Sequence, residues 1–132
     1  MIRLKSKREI EIMQKAGRIL QQAFEKLRPE VLPGVTTLEL DRIAEEAIQQ
    51  GGGASAFKGY RGFPRTLCVS INEEVVHGIP SNRKLKEGDL VSLDLGVKYE
   101  GYYADAARSW PVGKVSGEVL RRGFHGKIQL HN

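Results

Sequence analysis

The chain has 132 residues, of which 40% are hydrophobic and 28% charged, and its formal net charge is +5, the balance of one modest globular domain. No window approaches the roughly 18 apolar residues that a membrane span needs, and the opening MIRLKSKREIEIM lacks the apolar core and cleavage pattern of a signal peptide. The single Cys68 allows no internal disulfide, and the basic residues are scattered rather than interleaved with stacking aromatics, so a cytoplasmic protein with no membrane partner and no specific nucleic-acid site is expected.

Ser6 and Glu9 have the spacing of a capping box. Behind them Ile10, Met13, Ala16, Leu20, Ala23, Phe24 and Leu27 recur at steps of three and four. That spacing predicts a helix over about Lys7 to Arg28, closed by Pro29 and Pro33-Gly34. Thr36 and Glu39 repeat the capping signal, and Leu40, Ile43, Ala44, Ala47 and Ile48 mark one face. A second helix is predicted from about Thr37 to Gln50, stopped by Gly51-Gly52-Gly53. The period then changes. Thr66 to Ile71, Leu90 to Val97 and Tyr102 to Val112 read as strands, with turn chemistry at Asn72-Glu73-Glu74 and Lys86-Glu87-Gly88-Asp89. Helix, helix, strands, without βαβ alternation, predicts an α+β fold with two helices packed on an antiparallel sheet. The last dozen residues, RRGFHGKIQLHN, show no clear period.

The stretch LDLGVKYEGYYAD, Leu93 to Asp105, sets two carboxylates into strand-like runs, where acidic residues are depleted. It reads as a hairpin turning near Tyr99-Glu100-Gly101. With a loop at Tyr99-Glu100, Asp94 lies opposite Asp105; with a loop at Glu100-Gly101, Asp94 faces Ala107 and is diagonal to Asp105. Both registers put the two carboxylates on one face, whereas a plain three-residue loop puts them on opposite faces unless a bulge restores the parity. Val91, Leu93, Leu95 and Val97 take the other face, leaving Ser92, Asp94 and Gly96 with Tyr103, Asp105 and Ala107. Three things can offset the repulsion: water on a solvated face, a shared proton, or a divalent cation held by hard oxygen ligands. Spacing leaves all three open. His77 taken by itself is a loop histidine before Gly78, and Cys68 a small buried hydrophobe.

Phe57-Lys58-Gly59-Tyr60, the run Cys68 to Pro80 containing NEEVVHGIP, the run Lys86 to Gly96, and Gly101-Tyr102-Tyr103-Ala104-Asp105 together resemble the type I methionine aminopeptidases. The resemblance extends from the first helix to about Gly113. It implies the N-terminal half of a pita-bread fold, in which two pseudo-symmetric α+β halves enclose a central site. It implies a metal-dependent hydrolase that removes the N-terminal methionine of nascent polypeptides. Asp94 and Asp105 match the first two ligands of a dinuclear centre, Asp105 bridging, with two divalent ions drawn from cobalt, manganese, iron or zinc. His77 matches a catalytic histidine that contacts the substrate near the scissile bond. Phe57, Tyr60, Phe63 and Cys68 fall at or near the pocket for the methionine side chain. Aromatic rings and a thiol suit a thioether, since sulfur packs well against ring edges, and paired divalent ions acidify a bridging water. Implied partners are nascent peptide N-termini, with proximity to the ribosome.

Members of this family are roughly twice as long, and their second half supplies one histidine and two glutamates to the metals. None of these is found here. Residues 1–113 are therefore expected to be the aminopeptidase-like half, and 114–132 a divergent tail of a truncated or frameshifted gene, with His125 and His131 incidental. The alternative function is a non-catalytic half-domain that self-associates, or pairs with another chain, through the surface the missing half would cover.

Overall fold

The structure, a computed structural model, describes residues 5–72, 78–113 and 129–131. Helix α1 runs from Lys7 to Leu27. Its start is fixed as the sequence predicts: Ser6 Oγ accepts the Glu9 N–H at 3.1 Å and Glu9 Oε1 accepts the Ser6 N–H at 3.2 Å, which satisfies two orphan donors of the first turn. A single 3₁₀ turn at Arg28–Glu30, with Pro29 inside it, ends the helix. Helix α2 spans Thr37–Gln50, capped by Thr36 Oγ1, which accepts the Glu39 N–H at 3.1 Å. At its other end the Gly53 N–H reaches back to the Ile48 carbonyl, and Gly52 to that of Gln49, each at 3.0 Å; these bonds close the exposed carbonyls of the last turn.

Among the described residues five strands follow: β1 (Ala54–Ser55), β2 (Leu67–Ile71), β3 (Leu90–Tyr99), β4 (Tyr102–Pro111) and β5 (Gln129–His131). All pairings are antiparallel. β3 is the axis of the sheet: β4 covers one edge over its whole length, and β2 and β1 share the other edge in succession. β5 lies against the start of β4, from Tyr103 to Asp105. Periodicity gave no hint of β5 in the tail, nor of the two-residue β1.

Both helices cover one face of the sheet, α1 lying across β3 and β4 and α2 near β1 and β2. Side-chain alternation explains why. Val91, Leu93, Leu95 and Val97 are fully buried, and so are Leu20, Leu27, Leu40 and Ala44 of the helices. Each such leucine or valine contributes about 1.5–3 kcal/mol by leaving water. Phe24 of α1 meets Trp110 of β4 edge to face, with centroids 6.0 Å apart, and the Arg108 guanidinium rests 5.1 Å from the Phe24 ring. The tip of the hairpin is tied to the start of α1, where Tyr102 donates from its hydroxyl to Glu9 Oε2 at 2.5 Å. With the helices on one side, the opposite face of β3 and β4 holds the polar residues.

Candidate metal centre

The β3–β4 hairpin turns at Glu100-Gly101, with Tyr99 opposite Tyr102. Both turn residues have positive φ, 47° and 83°, the conformation that lets a two-residue loop follow the right-handed strand twist; Gly101 adopts it without strain. This selects the second of the two registers. Asp94 faces Ala107, and Asp105 faces Gly96. The carboxylates are on one face as diagonal neighbours, a relation that typically separates positions by roughly 7–8 Å.

Beside them is an open cleft of about 720 Å³. Asp94 and Asp105 line it together with Phe57, Tyr60, Phe63 and Cys68, as do Arg61, Gly62, Pro64 and Ile79. Six residues singled out in the sequence thus meet in one cavity. Cys68 is directly across the β2–β3 ladder from Asp94. Burial pushes its thiol up to about 11, with the Asp94 charge adding to the effect. A thiol so placed stays neutral at physiological pH and presents a small apolar surface to the cleft. His77 and His125 lie outside the described residues, and of His131 the structure gives only its place in β5. Gly78 accepts the Val69 N–H at 2.9 Å from beside β2, which brings the segment after His77 alongside the cleft at Ile79.

Two structural supports escaped the sequence reading. Gly96 faces Asp105, and a Cβ built on it would come within 2.7 Å of Phe57 Cε1 and 3.0 Å of Ala56 Cβ. The missing side chain is what lets the Phe57 ring lie over β3 next to the carboxylates. Asp41 of α2 is 4% exposed, and its Oδ1 accepts the N–H groups of Thr66 and Leu67, both at 2.9 Å. That bond pair fixes the first residue of β2, and so Cys68. Burial raises the Asp41 carboxyl above its usual range, against the pull of the two N–H donors. The helical spacing Thr37, Asp41, Ala44, Ile48 puts this carboxylate on the buried face, a signal the apolar pattern alone does not show.

Among the described residues no group of three or more His, Cys, Asp or Glu side chains is placed to hold a metal ion. The donor chemistry of the pair nevertheless fits a divalent cation: two carboxylates share one face of adjacent strands beside an open cleft, and hard cations prefer oxygen.

One face of the sheet carries the helices and the other an acidic, aromatic-walled cleft. Residues 11–125 match the profile of metallopeptidase family M24, and the chain belongs to that family. It is 51% identical to a methionine aminopeptidase of Clostridium perfringens over 90% of this chain and 48% of that protein. A methionine aminopeptidase of Bacillus subtilis is 49% identical over 89% of this chain and 48% of its own length. The crystal structure of the Thermotoga maritima methionine aminopeptidase superposes with a TM-score of 0.83 at 42% identity, covering 92% of this chain and 50% of that one. The fold is thus the pita-bread half that the resemblance implied, and the chain spans about half the length of the curated relatives it matches. Membership in a metallopeptidase family carries dependence on divalent metal with it. Among the described residues no helix is long and apolar enough to cross a membrane.

Proposed function

We propose that this chain provides the first half of a methionine aminopeptidase centre: two carboxylate ligands for divalent metal and the pocket for the side chain of an N-terminal methionine. The observation that carries this reading is the shared cavity, in which Asp94 and Asp105 line the same cleft as Phe57, Tyr60, Phe63 and Cys68. The aminopeptidases named above supply the reaction class. Asp94 and Asp105 would hold two ions drawn from cobalt, manganese, iron or zinc. Bound there, such ions polarise a scissile carbonyl and acidify water. The aromatic rings and the neutral thiol exclude water from a thioether and pack against its sulfur. His77 is assigned the contact near the scissile bond. Residues 1–113 form the functional half in this reading, and 114–132 its tail. The substrates are nascent peptide N-termini, met close to the ribosome.

The test is thermal melting of the purified chain with manganese or cobalt, together with methionine release from a Met-Ala-Ser peptide. A metal-dependent rise in melting temperature, absent from Asp94→Ala and Asp105→Ala, is expected. Equal stabilisation of all three proteins by metal overturns the assignment. A second reading, a non-catalytic half that pairs with itself or with another chain, is favoured by the coverage of half of each relative. Methionine release by the chain itself, lost in Asp94→Ala, rules for the first reading. Stabilisation without release, in a chain eluting at twice its mass, rules for the second.

A further inference from the structure

The segment Gly59 to Gly62 bends around Arg61, which adopts φ 49° and ψ 37°, the left-handed region, between two glycines that are also at positive φ. A long side chain is strained in that region, and such outliers gather where function holds them. Arg61 lines the cleft together with Asp94 and Asp105 and is its one cationic lining residue among those described. Its guanidinium is 5.3 Å from the centre of the Tyr60 ring, and Tyr60 itself is 63% exposed. The neighbouring cations are occupied elsewhere: Lys58 pairs with Glu45 at 2.8 Å, and Arg65 lines a different groove, with Asp41 and Glu45. The cleft therefore has a negative pole on the strands and a positive one at its exposed rim.

In the aminopeptidase reading, a peptide held with its amino end at the carboxylates sends its following residues out through the open side of the cleft, which Arg61 lines. We infer that Arg61 is a specificity-determining residue that pairs with a carboxylate on the outgoing part of the peptide, an inference that rests on the aminopeptidase reading above. The planar fork of the guanidinium suits a carboxylate, and the Tyr60 ring limits its motion before binding. The carboxylate has two sources, an acidic side chain or a free C-terminus, and the ligands below separate them.

Saturation-transfer NMR with zinc present would compare Met-Ala-Glu amide, Met-Ala-Gln amide and Met-Ala-Gln with a free C-terminus on the wild-type chain and on Arg61→Gln. For a rim-exposed pair, a two- to fivefold tighter binding of a carboxylate-bearing peptide is expected. It should shrink in high salt and vanish in Arg61→Gln. A gain for the glutamate amide alone identifies the side chain as the source, and a gain for the free acid alone the terminus. Arg61→Gly, which relieves the positive φ, should melt a few degrees higher while losing the preference. A preference that persists in Arg61→Gln, or equal binding of all three peptides to the wild-type chain, overturns the inference and leaves the aminopeptidase reading intact. Failure of every peptide to bind either protein overturns both.

Discussion

Replacing Gly96 by alanine tests whether a missing side chain shapes the cleft. The new Cβ would be 2.7 Å from Phe57 Cε1, 3.1 Å from Phe57 Cδ1 and 3.0 Å from Ala56 Cβ. The first distance is far inside van der Waals contact, so the Phe57 ring must leave its place. Overpacking of this kind costs about 1–3 kcal/mol. At this chain length 1 kcal/mol lowers the melting temperature by about 4 °C, so Gly96→Ala should melt roughly 4–12 °C below the wild type. Steric overlap with one ring is separable from a general intolerance of β3 by a double-mutant cycle with Phe57→Ala. With the ring gone, only the Ala56 contact remains, and it opposes the gain of about 0.5–1 kcal/mol that alanine brings over glycine inside a strand. Gly96→Ala should therefore be within about 0.5 kcal/mol of neutral in the Phe57→Ala background, giving a coupling of at least about 0.5 kcal/mol. Urea denaturation of the four proteins measures it. The same cost in both backgrounds would refute the assignment of Gly96 as the seat of Phe57.

Cys68 should react with iodoacetamide along a pH profile whose midpoint is near 11, and Asp94→Asn should move that midpoint down, since the Asp94 charge is the second cause of the shift; a midpoint near 8.5 in the wild type would contradict its burial. Asp41 and Asp89 should act on stability in opposite directions with pH. The raised Asp41 carboxyl gives stability that is present below its unfolded pKa and lost as pH rises through its folded value. Asp89, held low by the Lys86 N–H bond at 2.9 Å and by Asn72, gives stability present above its unfolded pKa and lost as pH falls. Unfolding free energy relative to Asp41→Asn should thus be greater at pH 3 than at pH 7, and relative to Asp89→Asn smaller; urea titrations at both pH values check the signs. Thr66 Oγ1 is buried without a hydrogen-bond partner among the described residues, so the near-isosteric Thr66→Val should stabilise the chain by about 1 kcal/mol, and a lower melting temperature would show that the hydroxyl is satisfied.

The sequence by itself determined whatever depends on residues a few positions apart. Ser6 with Glu9, and Thr36 with Glu39, start the helices where the spacing predicts, because a capping bond spans three residues. The alternation from Val91 to Val97 fixed which side of β3 enters the core, and with it the face that carries Asp94, since parity within one strand is a local property; that Asp105 shares this face rests on the two-residue turn. Only the tertiary structure decided among alternatives that local patterning leaves equal. The turn at Glu100-Gly101 was chosen over the one at Tyr99-Glu100 by the pairing of two whole strands. The anchoring of β2 by Asp41 joins residues 25 and 26 positions apart. β5 has no periodic signal, because three residues carry too little pattern to read. The placing of Phe57 against Gly96, and of Arg61 at the rim above the carboxylates, exists only once separate segments converge. Patterning assigned Asp94 its face; the folded chain set Asp105 on the same face and gathered the groups around them into a cleft.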